Sequence, residues 1–209
     1  MSNPHRPALV AGLATLALSA LPCASAFAEP EPLSPHAFKK LVERVQPCVL
    51  KVVSPRPGGF AVLVGVKGEV IVDDRVLGKD ALTIGVEVKG ERREATLVER
   101  DAELGLALMR LPDDDYPAAS VGEAKALQRG DALVGVAYDA KKGPVAEPGH
   151  FAGTREVKGV TRLRNDVAGP PGTALFNSRG ELVAVHAGRS HATVAIEELR
   201  ARFSKKRPE

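Results

Sequence analysis

The chain has 209 residues, 29 of them Lys or Arg, 26 Asp or Glu and 5 His, for a formal charge of +3 at pH 7. This near balance excludes a dedicated nucleic-acid or anionic-membrane surface, and two cysteines exclude a disulfide-stapled scaffold. The length suits one domain or two small barrels sharing an interface, and with no tryptophan the core must be built from Val, Leu, Ile and Ala.

At the N-terminus, Arg6 precedes an apolar run from Ala8 to Leu21, and small residues end at Ala26-Phe27-Ala28. This is the pattern of a secretory signal peptide over 1–28, cleaved before Glu29, so the mature protein over 29–209 is expected to be exported to the periplasm or secreted. The run is short for a membrane span, and Pro22 fits poorly before a lipidated Cys23, which sets aside an anchor and a lipoprotein. With the signal removed only Cys48 remains, in a Val-rich run with no adjacent cation, and it is expected to be a buried strand residue rather than a reactive thiol.

Ser34 can cap a helix that places Phe38, Leu41, Val42 and Val45 on one face. Short alternating or apolar runs then recur about every ten residues between Gly, Asp and Pro, as in Leu82 to Val88, Ala132 to Ala137 and Leu182 to Val185. They predict an all-β barrel or sandwich. Between them, Asp113-Asp114-Asp115-Tyr116 lacks the ligand spacing of a calcium loop and reads as a solvated linker, while Lys141 to His150 reads as a long Gly/Pro-rich loop. A second helix is expected from Glu197 to Phe203, before a solvated basic end at Lys205-Lys206-Arg207.

Five blocks, taken in order, carry a resemblance. Val45-Gln46-Pro47-Cys48-Val49-Leu50-Lys51-Val52 reads as a first strand and is followed by the Gly-rich turn Gly58-Gly59-Phe60. Gly68-Glu69-Val70-Ile71-Val72-Asp73-Asp74-Arg75-Val76-Leu77 is next, then Asp101-Ala102-Glu103-Leu104-Gly105-Leu106-Ala107-Leu108. Arg129-Gly130-Asp131-Ala132-Leu133-Val134 follows, and last Gly169-Pro170-Pro171-Gly172-Thr173-Ala174-Leu175, with Ala192 to Ile196 closing the pattern. The series resembles the trypsin-like serine proteases of the HtrA type from Val45 to Phe203. It implies two six-stranded antiparallel β-barrels with short N- and C-terminal helices, the first barrel over about 45–112 and the second over about 117–196, with the C-terminal helix over about 197–203. The chain ends where many HtrA-type proteins continue into a PDZ domain, so a degenerate member without one is expected.

In that alignment the histidine, aspartate and serine of the triad fall on Arg75, Gly105 and Pro171. Arginine is protonated at any accessible pH and cannot act as a base, glycine has no side chain, and proline has neither a hydroxyl nor an N–H to offer an oxyanion. The resemblance therefore implies a pseudoprotease whose inter-barrel cleft binds a polypeptide by strand pairing or regulates a partner, with Arg75, Gly169, Thr173 and His186 as cleft candidates and Arg75 as a candidate carboxylate anchor. The alternatives are an active endopeptidase with a displaced triad, for which Asp73, Asp74, Asp166, Thr173, Ser178 and His186 are the groups to consider, and a scaffold that binds a partner elsewhere. The mature histidines show no metal-ligand spacing with Cys48, and no phosphate-binding pattern is present, so no metal and no cofactor are expected.

Overall fold

The computed structural model describes residues 33–53, 59–139, 142–187 and 192–204. The signal-peptide reading over 1–28, Cys23, Gly58, Lys141, His191 and the basic end at 205–209 lie outside the described residues.

The first barrel closes in the order β1 (Val49–Val53), β2 (Phe60–Leu63), β3 (Glu69–Asp73), β6 (Leu106–Arg110), β5 (Glu91–Asp101) and β4 (Thr83–Val88). The second closes as β10 (Ala174–Asn177), β11 (Leu182–Ala187), β12 (Ala192–Ala195), β9 (Val160–Asn165), β8 (Gly143–Val157) and β7 (Ala132–Asp139). Every ladder between these strands is antiparallel, and closure leaves neither sheet with a free edge along its full length. The expected two-barrel fold is thus present.

Two helices flank the barrels, and each ties its end of the chain to the barrel farther away in sequence. α1 (Pro35–Val45) starts at Ser34, whose hydroxyl accepts the Ala37 N–H at 3.3 Å; Leu41 and Val45 are buried. Arg44 donates to the Arg179 carbonyl at 2.6 Å, which holds α1 to the β10–β11 turn of the second barrel. α2 (Ile196–Ser204) buries Ile196, Leu199 and Phe203, and its Arg202 reaches Asp101 at 3.0 Å and Glu103 at 3.1 Å in the first barrel. One apolar cluster accordingly runs from Val70, Leu106 and Met109 of the first barrel to Val134, Phe176 and Leu199. The acidic linker lies between the barrels with Asp113, Asp114 and Asp115 exposed, while Tyr116 is buried and donates to the Pro112 carbonyl at 2.8 Å. Among the described residues no helix is long and apolar enough to cross a membrane.

Two expectations need correction. Cys48 is buried but is not a strand residue: Gln46–Cys48 forms a 3-10 turn, and β1 begins at Val49. Pro47 has no N–H for a ladder and suits the first turn of a helix, which shifts the start of the strand. The thiol donates to the Val45 carbonyl at 2.8 Å, and burial pushes its pKa up to about 12.

The Gly/Pro-rich stretch ending at His150 is not a loop. It is the first half of β8, paired with β7 from Asp139↔Gly143 to Ala132↔His150. Prolines are tolerated because β9 pairs with β8 only from Phe151 onward, so an open edge runs beside Pro144 and Pro148. The parity agrees: Phe151 donates its N–H toward the β7 side, to Asp131, whereas the neighbouring even position His150 donates outward, to the Asp166 carboxylate. Pro144 and Pro148 share that outward parity, so neither is asked for a ladder bond.

Candidate functional site

Arg75 and Gly105 meet at the end of the β3–β6 ladder. Asp73 pairs with Leu106 in register, and the Asp74 N–H donates to the Gly105 carbonyl at 2.9 Å. Gly105 has φ +72°, a left-handed conformation that glycine adopts without strain, and its own N–H donates to Asp101. Asp73, 3% exposed, caps the 3-10 turn that carries Arg75: its Oδ1 accepts the Arg75 backbone N–H at 2.8 Å and Nε at 3.0 Å. Its Oδ2 accepts the second guanidinium nitrogen at 3.2 Å. The Arg75 guanidinium is therefore folded back on its own turn as one half of a bidentate pair.

Asp74 faces inward instead. Arg100 Nε lies 2.9 Å from its Oδ1, close enough for an ion pair though not aligned as a hydrogen bond, and the same guanidinium donates to the carbonyls of Gly78 and Lys79. Both aspartates of this turn thus hold structure.

Across the cleft, the segment from Val167 to Thr173 enters β10 through a closed turn. The Thr173 hydroxyl and backbone N–H both donate to the Pro170 carbonyl, at 2.6 and 3.1 Å, and Gly172 donates to the His186 carbonyl at 2.7 Å. Gly172 has φ +95°, and a Cβ there would lie 3.0 Å from the ring of Phe60 on β2. Gly59, next to Phe60, is packed against Val76, so a chain of contacts runs from Pro171 through Gly172 and Phe60 to the turn that carries Arg75.

Beneath the Val167–Thr173 turn is a pocket of about 560 Å³, lined among others by Gly169, Pro171, His186, Asn165, Thr193 and Arg164. Burial lowers the His186 pKa and outweighs the opposing hydrogen bond between its ring and the Gly169 backbone. Of the four cleft candidates, Gly169 and His186 share this pocket; Thr173 is turned away onto Pro170, and Arg75 stands on the other barrel. Among the groups of the displaced-triad alternative, Thr173 and His186 are backbone neighbours, the His186 N–H donating to the Thr173 carbonyl at 2.9 Å, while Asp73 and Asp74 belong to the first barrel. Ser178 is in the exposed turn between β10 and β11, and His186 is near the far end of β11, four residues beyond Leu182 or about 13 Å along the strand. Asp166 is engaged with His150, whose Nδ1 lies 3.4 Å from its Oδ2. Asn165, Thr193, Arg155 and Arg164 were not legible as site residues, because only barrel closure brings β9, β12 and the end of β11 around one space.

Two six-stranded antiparallel barrels in contact through a glycine turn, with a pocket behind that turn, define the chymotrypsin-fold class of protein. The sequence model of the trypsin-like peptidase domain matches residues 48–185, from the turn before β1 to β11, and the chain belongs to that family. A comparison with curated protein sequences finds no match. Among solved structures the chain is similar to the HtrA-type protease AlgW with a decapeptide, at TM-score 0.67 and 18% identity over 81% of this chain and 68% of that one. It is similar also to the HtrA-type protease AlgW with a tripeptide, at TM-score 0.68 and 22% identity over 80% of this chain and 62% of that one. The chain spans about two-thirds of the length of these proteases.

Proposed function

We propose that the chain is an exported member of the trypsin-like peptidase family that has lost its triad and binds a polypeptide in the cleft between its barrels. The observation that carries the reading is Pro171 in the turn that faces Phe60: at the position aligned with the nucleophile there is no hydroxyl, and no N–H to stabilise an oxyanion. Two further features support it. The Arg75 guanidinium is occupied by Asp73, and Gly105 presents only main chain to the same turn. Loss of nucleophile and base removes on the order of a million-fold from such catalysis, and loss of an oxyanion donor about a hundred-fold more. Binding of an extended peptide depends on main-chain hydrogen bonds and side-chain pockets, neither of which needs a nucleophile. The related folds were solved with a decapeptide and a tripeptide, which is the type of ligand proposed here.

The test is hydrolysis of a quenched casein substrate by the purified mature protein and by Pro171→Ala, together with labelling by a serine-directed fluorophosphonate. Neither turnover nor labelling is expected. Turnover that copurifies with the chain, or a labelled serine, sinks the reading in favour of a displaced triad. Fluorescence polarisation with labelled casein peptides then measures whether the cleft is occupied, and export is read from the N-terminal residue of the protein recovered from the periplasm or medium, expected at Glu29.

A further inference from the structure

The pocket beneath the Val167–Thr173 turn has a chemistry that peptide binding alone does not require. Arg155 on β8 and Arg164 on β9 both line it, both are exposed, and among the described residues neither makes a side-chain hydrogen bond or ion pair. Among the described residues no Asp or Glu lines it. Asp166, which lies between the lining residues Asn165 and Val167, is engaged by the backbone N–H and ring of His150. Unpaired arginines around a concave site with no counter-charge raise the local potential and favour an anion, and the guanidinium fork matches a carboxylate.

Thr193 adds direction. It is 4% exposed and lines the same pocket, and its Oγ1 accepts from Asn165 Nδ2 at 2.9 Å. Its own proton has no acceptor among the described residues. Asn165 is itself fixed, because its Oδ1 accepts the Val167 N–H at 3.1 Å at the start of the turn. The hydroxyl is thus a held donor inside the pocket, with two exposed cations at its rim. His186 and Gly169 form another wall.

We propose that this pocket takes the carboxylate of a glutamate or aspartate side chain from a polypeptide lying in the cleft, with the Thr193 hydroxyl as the buried donor and Arg164 and Arg155 as the pairing cations. This rests on the peptide-binding reading above. It assigns that reading a substrate class: segments with an acidic residue at one defined position. The volume accommodates a side chain of that size together with water, and the two lining arginines disfavour Lys and Arg by like-charge repulsion, with no carboxylate among the described lining residues to offset it.

The experiment is fluorescence polarisation of the mature protein against labelled hexapeptide pools of Ala, Val, Thr and Gln, each with one position fixed in turn as Glu, Asp, Gln, Asn or Lys. The expected result is that Glu or Asp at one position, and only there, tightens binding about ten-fold over its amide isostere, the margin of a charged over a neutral hydrogen bond. That margin should fall to about two-fold in Arg164→Gln and in Thr193→Val, and survive in Thr193→Ser, which keeps the hydroxyl. Circular dichroism checks that each variant is folded, and Arg164→Gln, being at an exposed position, keeps the test valid if Thr193→Val unfolds. Equal binding of Glu and Gln pools overturns the acidic pocket while leaving peptide binding in place. An acid preference spread over all positions, or retained in Arg164→Gln and Thr193→Val, overturns it as well by assigning the effect to net charge. Failure of every pool to bind overturns the peptide-binding reading, and the pocket's substrate class falls with it.

Discussion

Replacing Gly172 by Ala presses on a point where the glycine turn of the second barrel meets the first. Two penalties combine there. At φ +95° a residue with a Cβ is strained by about 1–2 kcal/mol. The Cβ would also sit 3.0 Å from the Phe60 ring, against an ordinary carbon contact of about 3.5–4.0 Å, and Phe60 is 2% exposed with little room to retreat. Overpacking of this kind costs about 1–3 kcal/mol, and the reduced entropy of the unfolded Ala chain returns about 0.5. The sum is a loss of about 2–4 kcal/mol, or roughly 5–15 °C in Tm for a domain of this size.

Gly159→Ala is the matched control. It too has a positive φ, +70°, but a Cβ there meets nothing within 4 Å, so only the strain of about 1 kcal/mol applies. Since the chain has no tryptophan, urea unfolding is followed by far-UV circular dichroism, with the m-value checked for constancy. In a Phe60→Leu background the penalty of Gly172→Ala should shrink by about 1–2 kcal/mol, a coupling that a double-mutant cycle reads directly. If Gly172→Ala is no worse than Gly159→Ala, and no coupling to Phe60 appears, the two barrels do not press together at this turn and the chain of contacts from Pro171 to Arg75 is wrong.

Arg100→Met should destabilise by about 3–5 kcal/mol, because it removes the ion-pair partner of Asp74, 7% exposed, and frees the carbonyls of Gly78 and Lys79; adding Asp74→Asn should recover part of the loss, and a fully additive pair would show that the ion pair is not what matters. With its pKa pushed up to about 12, Cys48 should resist alkylation at pH 8 by roughly a hundred-fold or more relative to the urea-unfolded chain, and labelling within minutes in buffer would contradict its burial. The unfolded thiol ionises first, near the ordinary value of 9.0, so the folded state holds the extra proton above that pH and stability should decline as pH rises beyond it. His186 has the opposite sense: its folded pKa lies below the unfolded value near 6.5, so the unfolded state takes up the proton first and stability should fall as pH drops below about 6.5. In His186→Gln that part of the acid slope should vanish, and an unchanged slope between pH 7 and 5 would assign it to other groups.

Much of the architecture was legible because a barrel strand must bury alternate or successive apolar residues and stop at Gly, Asp or Pro. The runs at Leu82 to Val88 and Leu182 to Val185 match β4 and β11 to within two residues, and Ser34 was legible as a cap because its hydroxyl is the local acceptor a helix start needs. Misreadings came where local signals compete with tertiary ones. Pro144 and Pro148 signal a loop to any local rule, and only the late start of the β8–β9 ladder explains why they sit comfortably in a strand. Cys48 follows a proline, which turns the backbone once before the strand begins.

By itself, the sequence determined the order of strands, the residue types at each aligned position and the side-chain chemistry they exclude, since a proline has no hydroxyl or N–H in any fold. The tertiary structure alone decided which groups meet. Asp73 claims the Arg75 guanidinium, Gly172 rests on a phenylalanine more than a hundred residues earlier in the chain, and two arginines, a threonine and a histidine from separate strands surround one pocket. Those neighbours are set by barrel closure and register, long-range consequences of burying apolar surface that no local pattern encodes.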